Sequence, residues 1–93
     1  MAKKSKAGRK RVVFSLECPD ADEVCVAGSF NDWDETAKVM KQTSPGIFEA
    51  VCMLPKGQYE YKFVVDEKWQ IDPSNPNVRQ NSFGTLNSIV AVD

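Results

Sequence analysis

The chain has 93 residues, of which 42% are hydrophobic and 27% charged, with a formal net charge of −1. That is one domain's worth of core and too little for two, and no apolar run approaches the roughly 20 residues that cross a bilayer. There is no histidine, so Ser-His-Asp and Cys-His catalysis are excluded along with the commonest metal ligand.

The near-neutral charge hides an asymmetry. Lys3, Lys4, Lys6, Arg9, Lys10 and Arg11 put six cations and no acid into residues 1–11, leaving residues 12–93 with a net charge of −7. Residues 1–11 are expected to form a disordered basic leader, and residues 12–93 the folded domain. The acidic body disfavours nucleic acid. Behind the opening Met-Ala-Lys-Lys-Ser no apolar segment follows, so neither a secretory signal nor a membrane partner is expected. Cys18, Cys25 and Cys52 are odd in number and lack Cys-x-x-Cys spacing, which points to small buried hydrophobes in a reducing cytoplasm rather than a disulfide framework or a metal site.

In chain order, residues 12–17 alternate, with Val12, Phe14 and Leu16 on one side, and predict a first strand. Pro19-Asp20-Ala21-Asp22 is a turn, and residues 23–28, with Val24 and Val26 inward, predict a second strand in a hairpin with the first. The loop Gly28-Ser29-Phe30-Asn31-Asp32-Trp33-Asp34-Glu35 carries two large aromatics. Residues 38–42 form a short strand. Ser44-Pro45-Gly46 turns into a strand over 47–54 whose apolar line is Phe48, Ala50, Cys52 and Leu54.

After Pro55-Lys56-Gly57 comes the most informative stretch. Tyr59, Tyr61, Phe63 and Val65 share a core-facing side, while Glu60, Lys62, Val64 and Asp66 face the other way. A two-residue turn at Glu67-Lys68 pairs Asp66 with Trp69 and Val64 with Ile71, which sets Trp69 on the outward face beside Lys62. A loop of turn formers runs from Asp72 to about Asn87, and residues 88–92 complete about seven strands. This is an all-β pattern, an antiparallel β-sandwich of immunoglobulin-like shape.

Trp33, Trp69 and Phe83 stand outside the core pattern among Asn, Asp, Ser and Thr side chains. Flat aromatic faces beside amide and hydroxyl groups suit a sugar ring, which offers apolar C–H faces and many hydroxyls. Hydrolysis of a glycosidic bond needs two carboxyl groups facing each other across a cleft, for which a sandwich of this size has little room, so a non-catalytic role is expected. No phosphate-binding Gly-rich loop or dinucleotide fingerprint is present, and no cofactor is expected.

Val-Ala-Gly-Ser-Phe-Asn-Asp-Trp at 26–33, Leu-Pro-Lys-Gly-Gln-Tyr-Glu-Tyr-Lys-Phe-Val-Val-Asp at 54–66, Trp-Gln-Ile-Asp-Pro at 69–73 and Phe-Gly-Thr-Leu-Asn-Ser-Ile-Val at 83–90 carry a resemblance. Over residues 12–93 the chain resembles carbohydrate-binding module family 48, the glycogen-binding domain of AMP-activated protein kinase beta subunits, akin to the N-terminal domains of isoamylases and branching enzymes. The resemblance implies an early-set β-sandwich that binds α-1,4-linked glucans such as glycogen, starch or maltooligosaccharides.

By motif position it implies that Trp33 and Trp69 stack on successive glucose rings, that Lys62 and Asn87 hydrogen-bond hydroxyls and that Thr85 contacts the sugar. Phe83 stands where the kinase modules carry a Leu that pushes into the curve of the glucan. Glu67 replaces a frequent Gly, and the long loop is one residue longer; both departures bear on affinity more than on fold. The alternative reading is a protein-docking domain, in which the same sandwich associates in trans with a kinase or a glucan-processing enzyme.

Overall fold

A computed structural model describes residues 8–93. Eight strands run in chain order as β1 (Arg9–Glu17), β2 (Val24–Gly28), β3 (Lys41–Ser44), β4 (Ile47–Pro55), β5 (Gly57–Val65), β6 (Lys68–Gln70), β7 (Val78–Gln80) and β8 (Leu86–Val92). They form two antiparallel sheets, β1-β4-β3 and β2-β5-β8-β7, with β6 paired to β5. The fold is the expected antiparallel β-sandwich.

Alternation decides which side chains meet between the layers. Phe14 and Leu16 from β1 and Phe48 and Ala50 from β4 face Val24 and Val26 from β2 and Tyr61 and Phe63 from β5, with Met40 closing one side. Phe63, Val24 and Val26 are fully buried. Behind the second sheet Cys25, Ala27 and Val64 make a smaller cluster roofed by Trp33. All three cysteines are unpaired. Burial, seconded by the charges of Glu23 and then Glu35, pushes the Cys25 thiol up from its ordinary value, and burial does the same for Cys52.

Several expectations are corrected. The first two strands do not form a hairpin, because β1 pairs with β4 and β2 with β5. The connection after Glu17 is long enough to change layers, and Asp66, in the turn that follows β5, captures it. Asp66 carboxylate oxygens accept the amides of Asp22 at 3.0 Å and Glu23 at 2.9 Å. Strand β1 starts at Arg9, so Arg9, Lys10 and Arg11 belong to the sheet, while residues 1–7 of the expected leader lie outside the described residues. β3 covers Lys41–Ser44 rather than 38–42, and the long loop contains a further short strand, β7, which raises the count to eight.

The hairpin turn is Asp66-Glu67, not Glu67-Lys68. Both residues have positive φ, 46° and 73°, as a type I′ turn requires. Asp tolerates that conformation, and the amides held by its carboxylate fix it there. Pairing becomes Val64 with Trp69 and Phe63 with Gln70. A turn moved by one residue moves the pairing by two, so each side chain keeps its face and Trp69 stays on the side of Lys62.

A left-handed backbone costs a non-Gly residue about 1–2 kcal/mol. Glu67→Gly is therefore expected to stabilise the domain by about 1 kcal/mol, read as a Tm about 4–8 °C higher. An unchanged or lower Tm would show that the glutamate side chain compensates its own strain.

Candidate glucan-binding cleft

All six residues singled out from the sequence, Trp33, Lys62, Trp69, Phe83, Thr85 and Asn87, line one cleft of about 520 Å³ on the outer face of the second sheet. Ser29, Glu60, Asn81 and Ser82 complete its lining. Lys62 comes from the middle strand and Trp69 from the partner strand of the hairpin, whereas Trp33 reaches over from the β2–β3 loop. Phe83 and Thr85 stand on the β7–β8 loop, with Asn87 on β8.

Local hydrogen bonds fix Trp33. The carbonyl of Gly28 accepts the amides of Asn31 at 3.1 Å and Trp33 at 2.9 Å. The Asn31 side chain spans back to Gly28 N at 3.0 Å and the Val26 carbonyl at 3.2 Å. Gly28 is required here because a Cβ would lie 2.5 Å from the Glu60 carbonyl oxygen. One face of the Trp33 ring is thereby seated on Cys25, Ala27 and Val64. The two indole centroids lie 6.5 Å apart with their planes at 45°, so the rings form a bent shelf rather than a stack closed on itself. Trp69 is 43% exposed.

The opposite wall is organised by Asn81. Its Oδ1 accepts the backbone amides of Phe83 at 3.0 Å and Thr85 at 3.1 Å, and its Nδ2 donates to Thr85 Oγ1 at 2.7 Å and Asn87 Oδ1 at 3.0 Å. The loop closes with Asn81 N to Thr85 O at 2.8 Å, and Gly84 takes the positive φ the turn needs. Held this way, Phe83 is 90% exposed, an aromatic ring standing in water by construction rather than by a failure of packing. Lys62 Nζ donates to Thr85 Oγ1 at 3.1 Å and ties the middle strand to the loop.

Asn87, though 6% exposed, has both ends of its amide bonded, the Nδ2 donating to Glu60 Oε1 at 2.9 Å. Asn81 and Glu60 were not assigned to the site from sequence, yet both left a signal. Asn at the head of Asn-Ser-Phe-Gly is a turn signature, and Glu60 shares the outward face with Lys62.

The family model described as the glycogen recognition site of AMP-activated protein kinase matches residues 11–93. The chain belongs to that family. Pig 5'-AMP-activated protein kinase subunit beta-1 (Sus scrofa) is 43% identical over 70 residues, which are 75% of this chain and 54% of that protein. Human subunit beta-2 (Homo sapiens) is 41% identical over 75% of this chain and 25% of its own length. The chain thus spans about a quarter to a half of these relatives. Maltogenic amylase from S. marinus shares the fold, with a TM-score of 0.77 and 21% identity over 92% of this chain and 14% of the amylase. The matched span, residues 11–93, contains every residue that lines the cleft.

Among the described residues no three of His, Cys, Asp and Glu gather to hold a metal, and no helix is long and apolar enough to cross a membrane.

Proposed function

We propose that this glycogen-recognition module binds α-1,4-linked glucans without catalysis, with Trp33 and Trp69 stacking on neighbouring glucose rings. Lys62, Thr85 and Asn87 serve the hydroxyls, and Phe83 fills the concave side of the chain. One observation carries the reading: the shelf of two indoles is 6.5 Å from ring to ring, tilted, and opens toward a wall of bonded polar side chains. A glucan chain curves, and a bent shelf follows it better than coplanar rings would. Three unpaired cysteines support the cytoplasm as its compartment.

Titrating the protein with maltoheptaose while following Trp fluorescence tests this reading. Saturable emission changes with binding heat are expected; silence of both signals at millimolar ligand rejects it.

A second role in docking draws support from the opposite sheet. Val13, paired with Val51, and Met53, paired with Arg11, are exposed on the outer face of the first sheet, away from the cleft. Protein captured from lysate and retained after amylase treatment would support docking, and loss of all captured protein with the glucan would reject it.

A further inference from the structure

The cleft wall has a definite hydrogen-bond polarity, and it can be deduced outward from the backbone. Asn81 Oδ1 faces two backbone amides, so its Nδ2 must be the end that faces Thr85 and Asn87. Asn87 therefore presents Oδ1 to Asn81 and its Nδ2 to Glu60. Thr85 Oγ1 accepts from both Lys62 Nζ and Asn81 Nδ2, which uses its two lone pairs and leaves its hydroxyl hydrogen free to donate. Lys62 retains two hydrogens and Asn87 one. The wall is thus rich in donors.

A sugar hydroxyl that accepts from such a wall still has its own hydrogen to place. Among the described residues lining the cleft, Glu60 is the one acid. Its Oε1 accepts from Asn87 at 2.9 Å and its Oε2 from Arg79 Nη1 at 3.2 Å, so each oxygen keeps a lone pair. Arg79, which does not line the cleft, grips the carboxylate from outside and is itself anchored to Gln58 Oε1 at 3.0 Å. The pair is graded in exposure, with side chains 27% accessible for Glu60 and 54% for Arg79, so the guanidinium is on the solvent side. Glu60 also lies two residues from Lys62 on the same strand face, about 7 Å along the strand, close enough for the hydroxyls of one ring to bridge the two.

We propose that Glu60 is a direct sugar contact, the acceptor for hydroxyl hydrogens that the donor-rich wall of Lys62, Thr85 and Asn87 cannot take, with Arg79 as its positioning residue. This rests on the glucan-binding reading above. It makes the cleft selective for a neutral ligand with free vicinal hydroxyls, whose oxygens accept from the wall while their hydrogens pass to Glu60.

Calorimetric titration with β-cyclodextrin of the wild-type protein, Glu60→Ala, Glu60→Gln and Arg79→Ala, each checked by thermal melting, tests the assignment. Glu60→Ala is expected to bind about 10- to 100-fold more weakly, the range for losing hydrogen bonds to a charged group. Glu60→Gln keeps a partner for Asn87 and hence the fold, yet adds a donor to a donor-rich wall, and is expected to lose about tenfold. Arg79→Ala leaves the carboxylate in the cleft and is expected to lose about threefold. Glu60 variants that bind within twofold of wild type would overturn the proposal, as would wild-type binding by Glu60→Gln beside a weakened Glu60→Ala, which would make the side chain a structural partner of Asn87 alone. Absence of wild-type binding would instead remove the reading on which it rests.

Discussion

Trp69→Ala is expected to weaken maltoheptaose binding about 100-fold while the melting temperature moves by only a few degrees, because a buried-on-binding Trp typically contributes about 2–4 kcal/mol to an interface. The asymmetry follows from where the ring stands. Trp69 belongs to a three-residue strand at the margin of the sheet, is 43% exposed, stands opposite Val64 and lies tilted against Trp33. Its loss removes half of the shelf and little that was hidden from water in the free protein.

Trp33 is the instructive contrast. Its ring covers Cys25, Ala27 and Val64, all of them buried, so Trp33→Ala should lower both affinity and stability. Calorimetry and melting on the two variants separate the cases. A collapse of the fold in Trp69→Ala, or affinity kept within a few fold, would mean that the ring is structural or unused.

Much of this site was legible in the sequence because strand periodicity is a local property. Alternation from Tyr59 to Asp66 places Lys62 and Trp69 on one side of the hairpin, and that survives the misplaced turn because the register error is two residues and preserves parity. Pairing between distant strands has no such local mark. Glu17 and Glu23 flank a connection that looks like a hairpin turn, and what sends the chain to the other sheet is Asp66, more than forty positions away in sequence. β7 was hidden for a different reason. Val78-Arg79-Gln80 is a short, exposed edge with one apolar residue, and its ladder with β8 exists because the Asn81 loop folds the chain back. The hydrogen-bonded wall could be guessed residue by residue but not as a chain, since the direction of each amide depends on its neighbour.

The largest effect on stability from a single oxygen is expected at Tyr61, whose Tyr61→Phe variant should lose about 1–3 kcal/mol, the penalty for orphaning buried polar partners. The Tyr61 ring, 3% exposed, packs edge-on to Phe14 and Phe63 and would be kept by Phe. The hydroxyl is another matter. It donates to Asp72 Oδ2 at 2.7 Å and accepts from Asn75 Nδ2 at 3.0 Å, while Asp72 is itself buried and bonded to Ser74 and Ser88. This knot ties the segment after β6 to the middle of the second sheet, upstream of the loop that carries Phe83 and Thr85.

Burial above all, with the neighbouring Asp72 adding and the Asn75 hydrogen bond opposing, raises the phenol well above its ordinary value of about 10. The sign is then fixed. Below pH 10 the phenol is neutral folded or unfolded and stability is unaffected by it; above, the unfolded chain releases the proton that the folded chain keeps. Wild-type stability should therefore fall with a Tyr61 contribution approaching about 1.4 kcal/mol per pH unit, which the Phe variant lacks. Urea midpoints measured from pH 8 to pH 11 should show the gap between the two proteins constant up to about pH 10 and closing beyond it. A gap that stays constant to pH 11 would mean that the hydroxyl titrates as freely in the fold as in the open chain.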